Sequence, residues 1–126
     1  MRPKTLADVA QWTLKGESFD LCLPNFLDEF YDGPTAAALA KDPPLLAPQF
    51  GDAGHVQDAY LAATAEELAR QFDLTFPLWC EAETRKLHRP WFASQLAALR
   101  AVLLLESPPG FRARNLFVSE NALSRA

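Results

Sequence analysis

Residues 89–118 read RPWFASQLAALRAVLLLESPPGFRARNLFV and hold both the longest apolar run of the chain and its clearest stop signal. Apolar side chains recur here at helical spacing on one face and then surround the last turn. They are Phe92, Leu96, Leu99 and Leu103 on the face, and Val102, Leu104 and Leu105 in the last turn. We therefore predict a helix with Pro90 in its first turn, buried on every side at its carboxyl end. The SPPG sequence at residues 107–110 ends this helix at Glu106.

Two amphipathic helices are predicted near the amino terminus. Thr5 is placed to cap the first helix, and Asp8 lies at its third position, near the positive end of the helix dipole. The pair Lys15-Gly16 supplies a stop signal. The second helix is expected within residues 19–31, with Pro24 in its first turn.

Two groups of titratable residues invite a metal-binding or acid–base interpretation. One group lies on the acidic side of the second helix, and the other lies near the start of the next long helix. They consist of Asp28, Glu29 and Asp32, and of Asp52, His55 and Asp58. A solvated helix surface is the favoured interpretation of both groups, and no histidine lies near the first one in sequence.

The middle of the chain predicts further helices. A short alanine-rich helix is expected within residues 34–41, and a longer continuous helix over residues 55–72. A capping box that begins at Thr64 leaves open a restart at that point. After a turn, Thr75 is expected to cap another helix that reaches Leu87.

Residues 64–88 also resemble the start of a helix-turn-helix, with a Leu-Ala pair, a turn and a buried position at Trp79. However, Asp73 stands where the turn usually has a glycine. Glu81 and Glu83 stand where DNA contacts favour arginine, lysine, asparagine or glutamine. An ordinary helical hairpin is therefore favoured. A DNA-binding regulator would need a basic face built from Arg85, Lys86, Arg89, Arg112 and Arg114.

The segment after the apolar run combines arginine with aromatic side chains, as protein interfaces do. It is either a packed tail, with Phe111 and Phe117 in the core and arginines at helix carboxyl ends, or a partner-binding surface. The candidate partner-binding residues are Trp91, Phe92, Phe111, Arg112, Arg114, Asn115 and Phe117. Ser119 is expected to cap a last short helix over residues 120–125.

Composition favours one all-α domain, residues 1–126, built as a compact bundle of about five to seven short helices with proline-rich connections. The net charge of −4 disfavours a nucleic-acid surface. Cys22 and Cys80 lack the spacing of a zinc site or a disulfide framework. No catalytic, cofactor or metal motif, signal peptide or membrane span occurs in the sequence. We expect a cytoplasmic protein that is not an enzyme and carries no cofactor.

Four segments resemble a family of small uncharacterised bacterial proteins encoded beside nucleotidyltransferase-like proteins, a pairing similar to toxin–antitoxin modules. The segments are TLADVAQWTLKGESFDLCLPNFLDEFY, DAYLAATAEELARQ, RPWF and ESPPGFRARNLFVSENALSRA. The resemblance implies an antitoxin-like companion that binds and regulates a nucleotidyltransferase-like partner. An acidic protein can complement a basic cleft on such a partner. The alternatives are the helix-turn-helix regulator, and an enzyme of unrecognised type with a polar pocket around His55 or His88.

Overall fold

Helices make up 58% of the computed structural model, and strands make up almost none of it. The structure describes residues 2–94 and 96–125. These residues form seven α-helices, so the predicted all-α bundle is confirmed. The helices are α1 (Leu6–Leu14), α2 (Phe19–Asp32), α3 (Ala37–Ala40), α4 (Ala47–Phe50), α5 (Asp52–Gln71), α6 (Ala97–Glu106) and α7 (Pro109–Arg112).

Helix α5 is the central element, because it has a hydrophobic cluster on each side. The larger cluster joins it to α1 and α2, and Phe26 and Leu68 are fully buried there. The smaller cluster packs Ala59 and Ala63 against the segment that follows α7, with Phe111 fully buried. Small alanine side chains let these neighbours approach the helix closely. The central helix thus serves two cores.

The predicted starts of α1 and α5 are close to those observed. Thr5 forms a reciprocal capping box with Asp8, whose backbone N–H donates to the Thr5 hydroxyl at 3.0 Å. The helix ends at Leu14, and its C-cap residue Lys15 is followed by Gly16 at φ +110°. The long helix is continuous through Thr64, whose hydroxyl donates to the Tyr60 carbonyl at 2.8 Å instead of capping a new helix.

Helix α2 begins a full turn earlier than the position of its proline predicts. Ser18 is its N-cap residue, and the Ser18 carbonyl accepts the backbone N–H of Cys22 at 2.8 Å. Pro24 therefore lies inside the helix, and its placement in the first turn is wrong. The missing proline N–H leaves the carbonyl of the exposed residue Asp20 to be satisfied by solvent.

The helix predicted between Thr75 and Leu87 is absent. The chain forms two short 3-10 turns there instead, Leu78–Glu81 and Glu83–Arg85. The buried side chain of Arg85 donates to the carbonyl of Pro43, and both turns pack against α5. The predicted helical hairpin is therefore wrong, and the helix-turn-helix that was its disfavoured alternative is not formed over residues 64–88.

The aromatic residues before α6 form a strand rather than the start of that helix. Strand β1 (Trp91–Phe92) pairs in parallel with β2 (Leu116–Phe117). The Phe92 and Phe117 rings stack with centroids 5.1 Å apart. The predicted helix start at Pro90 is therefore wrong, whereas the predicted end at Glu106 is confirmed. The last short helix predicted over residues 120–125 is also wrong, because residues 120–123 form a turn.

Candidate functional site: the exposed face of helix α6

Helix α6 exposes most of its apolar side chains, although the sequence predicts that its last turn is buried. Among its residues with described side chains, Leu103 alone is buried. The exposed large apolar residues at and within the helix are Leu96, Leu99, Val102, Leu104 and Leu105, which we call the α6 surface. Leu105 is 82% exposed. The predicted burial is wrong because α7 and β2 already cover this side of α5, leaving room for only one edge of α6.

The outward side of α6 carries no charged residue. With about 100° between successive residues, Ala98, Ala101 and Leu105 lie opposite the buried Leu103. The charged residues Arg100 and Glu106 lie towards the body of the protein. The Arg100 guanidinium lies 5.3 Å from the centroid of the nearby Phe92 ring. Of the α6 surface, Leu105 lies on this uncharged side, and Val102 and Leu104 flank it. Leu99 lies beside Leu103, and Leu96 precedes the helix. An uncharged apolar helix side of this kind marks an interaction site in a soluble protein.

Hydrogen bonds fix the carboxyl end of α6 to the β1–β2 pair. The Ser107 hydroxyl donates to the Leu116 carbonyl at 2.8 Å. Arg112 donates through Nη2 to the carbonyls of Leu105 and Ser107, at 3.2 and 3.0 Å. These are carbonyls that a helix end leaves without partners, so Arg112 caps α6 and opposes the negative end of its dipole. The α6 surface is therefore held in a defined orientation at this end.

The seven candidate partner-binding residues divide between core and surface. Phe111, Arg114 and Phe117 are buried, as the packed-tail interpretation predicts. Trp91, Phe92 and Asn115 are partly buried, and Arg112 is exposed. The seven residues thus do not form one contact surface. Several of them build the support on which the α6 surface rests. Partner contact by the exposed members stays a prediction.

Arg114 holds together three separate segments inside the protein. It donates to Glu66 Oε1 at 2.9 Å, to the Gly110 carbonyl at 2.7 Å and to the Cys80 carbonyl at 3.0 Å. Only 2% of its side chain is exposed. Because this arginine is paired and buried, its replacement tests folding before it tests binding.

The basic face that a DNA-binding regulator needs is not assembled. Two of its five members, Arg85 and Arg114, are buried and paired with carboxylates. Phosphate binding requires exposed cations, so the guanidinium groups of Arg85 and Arg114 cannot contact DNA phosphates.

The group around His55 is also dispersed. Asp58 is buried and accepts the backbone N–H groups of Leu46 and Ala47 at 2.7 and 3.1 Å. Burial raises the pKa of Asp58 above its usual value, against those two hydrogen bonds and the nearby Arg85 charge. His55 instead places Nε2 3.0 Å from the Lys86 carbonyl. Across residues 2–94 and 96–125, no cluster of His, Cys, Asp or Glu could hold a metal ion.

The acidic group on α2 takes part in exposed ion pairs. Arg2 lies 3.8 Å from Glu29 and 3.5 Å from Asp32. Arg125 donates to both oxygens of Asp28, at 2.8 and 3.2 Å, and this hydrogen bonding holds the pKa of Asp28 below its usual value. The solvated-face interpretation accounts for this group.

An apolar pocket of about 560 Å³ lies between α2, α5, β1 and the tail after β2. Its walls include Leu23, Leu27, Val56, Trp91 and Val118. Sequence patterns give no signal for this pocket, because its walls come from four segments that are distant along the chain. Each of its apolar residues has the spacing of an ordinary core position.

Both cysteines are free and buried. Burial raises the pKa of the Cys80 thiol to about 12, although the charges of Arg114 and Arg85 act in the opposite direction. Burial also raises the pKa of Cys22. At neutral pH both are protonated thiols, which are poor nucleophiles and poor metal ligands.

The chain matches no family model, no curated protein and no solved structure. None of the helices that the structure describes is long and apolar enough to cross a membrane. Function must therefore be inferred from the geometry of the α6 surface and the pocket.

Proposed function

We propose that this protein is an interaction module that binds a partner protein through the α6 surface. The observation that carries the proposal is the exposure of five large apolar side chains at and within one helix. Single exposed leucines are common on soluble proteins, but a helix whose outward side is apolar and uncharged is not. A helix of this kind fits an apolar groove or a second helix on a partner.

The α6 surface supplies part of the free energy that a specific complex requires. Together the five side chains expose the equivalent of about three fully exposed aliphatic residues. Burying one such residue contributes about 1.5–3 kcal/mol, so covering all five contributes roughly 4–8 kcal/mol. A micromolar complex requires about 8 kcal/mol after association costs that are themselves about 4 kcal/mol or more. The α6 surface can therefore form the apolar centre of an interface, and contacts at its rim must contribute the remainder.

We further propose that the partner is nucleotidyltransferase-like and that this chain acts on it as an antitoxin-like companion. The resemblance of the sequence supports this choice of partner. The net charge of −4 is also compatible with it, because an acidic protein is attracted to the basic clefts that bind nucleotides. The α6 surface would supply affinity, and the overall charge would speed the encounter.

The first test is whether the source genome encodes a nucleotidyltransferase-like protein next to this chain, and its absence would reject this partner. Where it is present, the two proteins are purified after nuclease treatment and titrated by calorimetry. We compare Leu105→Glu with Leu78→Glu, because Leu105 is 82% exposed on α6 and Leu78 is 84% exposed on a 3-10 turn. We expect Leu105→Glu to weaken binding at least about tenfold, since it buries a charge in an apolar contact. Leu78→Glu should bind like the parent protein.

Two outcomes would contradict the proposal in different ways. If both substitutions weaken binding equally, or if neither weakens it, the α6 surface is not part of the interface. No binding by the parent protein would reject the nucleotidyltransferase-like partner. In that case, size-exclusion chromatography with light scattering shows whether a second copy of this chain covers α6 instead.

A further inference from the structure

The apolar pocket has the dimensions of a small-molecule site. Its volume of about 560 Å³ lies within the range of roughly 300–1,000 Å³ that is typical of ligand pockets. Aromatic and aliphatic side chains form most of its wall, including Phe19, Leu23 and Trp91. The α6 surface contributes no residue to its lining, so the two features are separate.

One polar group on α5 is available to this pocket without a protein partner. Tyr60 lines the pocket, and its hydroxyl forms no hydrogen bond within the described part of the chain, although its ring packs against Phe19 and Phe111. Burial and, second, the nearby Asp20 charge raise the pKa of Tyr60 to about 12, so this hydroxyl stays protonated and lies near the Asp20 carboxylate. A ligand with hydrogen-bond donors would satisfy both groups.

The charge at the pocket is negative. Asp20 lines it from the first turn of α2 and forms no ion pair with the residues that the structure describes. Arg125 also lines it, but both oxygens of Asp28 neutralise that guanidinium. The unbalanced charge is therefore the Asp20 carboxylate, which attracts a cation.

We propose that this pocket binds an apolar molecule that carries a protonated amine. The aliphatic or aromatic body lies between α2, α5 and Trp91, and the ammonium group donates to the Tyr60 hydroxyl and the Asp20 carboxylate. An ammonium group matches this site because it brings hydrogen-bond donors and a positive charge to a hydroxyl oxygen and a carboxylate that no protein group pairs within the described residues. The proposal is independent of the partner assigned to the α6 surface.

The experiment uses three probes of equal chain length: 1-octylamine, 1-octanol and sodium octanoate, each below its micelle concentration. Binding to the full chain is followed at neutral pH by chemical-shift changes of the Gln57 side-chain amide and the Trp91 indole. We expect the amine to bind most tightly and octanoate most weakly. Asp20→Asn should lower the affinity for the amine by about two- to fivefold, the range for an exposed charge pair, and leave the affinity for octanol unchanged.

A matched pair of alanine substitutions tests the location. Ala53 is exposed and lines the pocket, so Ala53→Phe should block all three probes. Ala37 is exposed on α3 and does not line the pocket, so Ala37→Phe should have no effect.

Equal affinities for octylamine and octanoate would overturn the proposal. So would chemical shifts confined to α6, or binding that survives Ala53→Phe. The probe series on the parent protein decides the head-group preference even if a variant fails to fold.

Discussion

Leu103 and Leu105 lie two residues apart on the same helix, yet Leu103 is 7% exposed and Leu105 is 82% exposed. Replacing each with alanine separates the two sides of α6. Leu103→Ala removes buried methyl groups and leaves a cavity, which costs about 2–5 kcal/mol in packed cores. Because only one edge of α6 packs on the body, we expect the lower end, about 2 kcal/mol. Leu105→Ala should change the free energy of unfolding by less than about 0.5 kcal/mol.

The assay is urea unfolding of both variants, followed by circular dichroism and tryptophan fluorescence. We expect the midpoint to fall for Leu103→Ala alone, with an unchanged slope. If α6 detaches before the rest of the protein unfolds, urea unfolding can miss the loss. Hydrogen exchange of the α6 amides then measures it, because Leu103→Ala should speed exchange in α6 only. If Leu105→Ala lowers the free energy of unfolding as much as Leu103→Ala does, Leu105 is not exposed and the reasoning is refuted. The last turn would then be buried on every side, as the apolar run alone predicts.

Three further predictions concern the core. Gly54→Ala should cost about 1–3 kcal/mol in thermal unfolding, because a Cβ atom there would lie 2.5 Å from the carbonyl oxygen of Leu46; unchanged stability would mean that α4 can move away. Arg114→Met should cost about 3 kcal/mol in urea unfolding, because Glu66 loses a buried partner, and a neutral result would show that Arg70 alone satisfies that carboxylate. Because burial raises the pKa of Cys80 to about 12, the contribution of this thiol to the free energy of unfolding should be fully present below pH 9 and should fall by about 1 kcal/mol per pH unit as pH rises towards 12. Cys80→Ala should remove this pH dependence, and an identical slope in that variant would contradict the assignment.

Local signals predicted α1 and α5 well, because their determinants lie within a few residues of each other. The capping box of Thr5 and Asp8 uses atoms three residues apart, and the alanine-rich stretch of α5 contains no breaker. Such interactions are specified by the sequence itself. The end of α6 belongs to the same class, since Pro108 and Pro109 cannot continue a helix.

Non-local contacts explain the wrong predictions. Trp91 and Phe92 have helical spacing with the leucines that follow, but their backbone pairs with a strand more than twenty residues later. The segment before β1, where the sequence predicts a helix, is held instead by long-range contacts, such as the hydrogen bonds from Arg85 to the carbonyls of Pro43 and Asp58. No pattern in the local sequence encodes such pairings. The pocket is missed for the same reason, as its lining is assembled from four segments.

An apolar periodicity also cannot tell a core face from a binding face, and α6 shows why. Burial in the fold and burial by a partner require the same side chains, and differ only in what covers them. The outward side chain of Leu105 contributes almost nothing to folding, while its exposure favours aggregation. The fold nevertheless holds the carboxyl end of this helix in place. The Ser107 hydroxyl donates to the Leu116 carbonyl on β2, and Arg112 donates to the carbonyls of Leu105 and Ser107. An apolar face that is held in place but left uncovered reduces the entropy lost on association, which is the property expected of a preformed binding site.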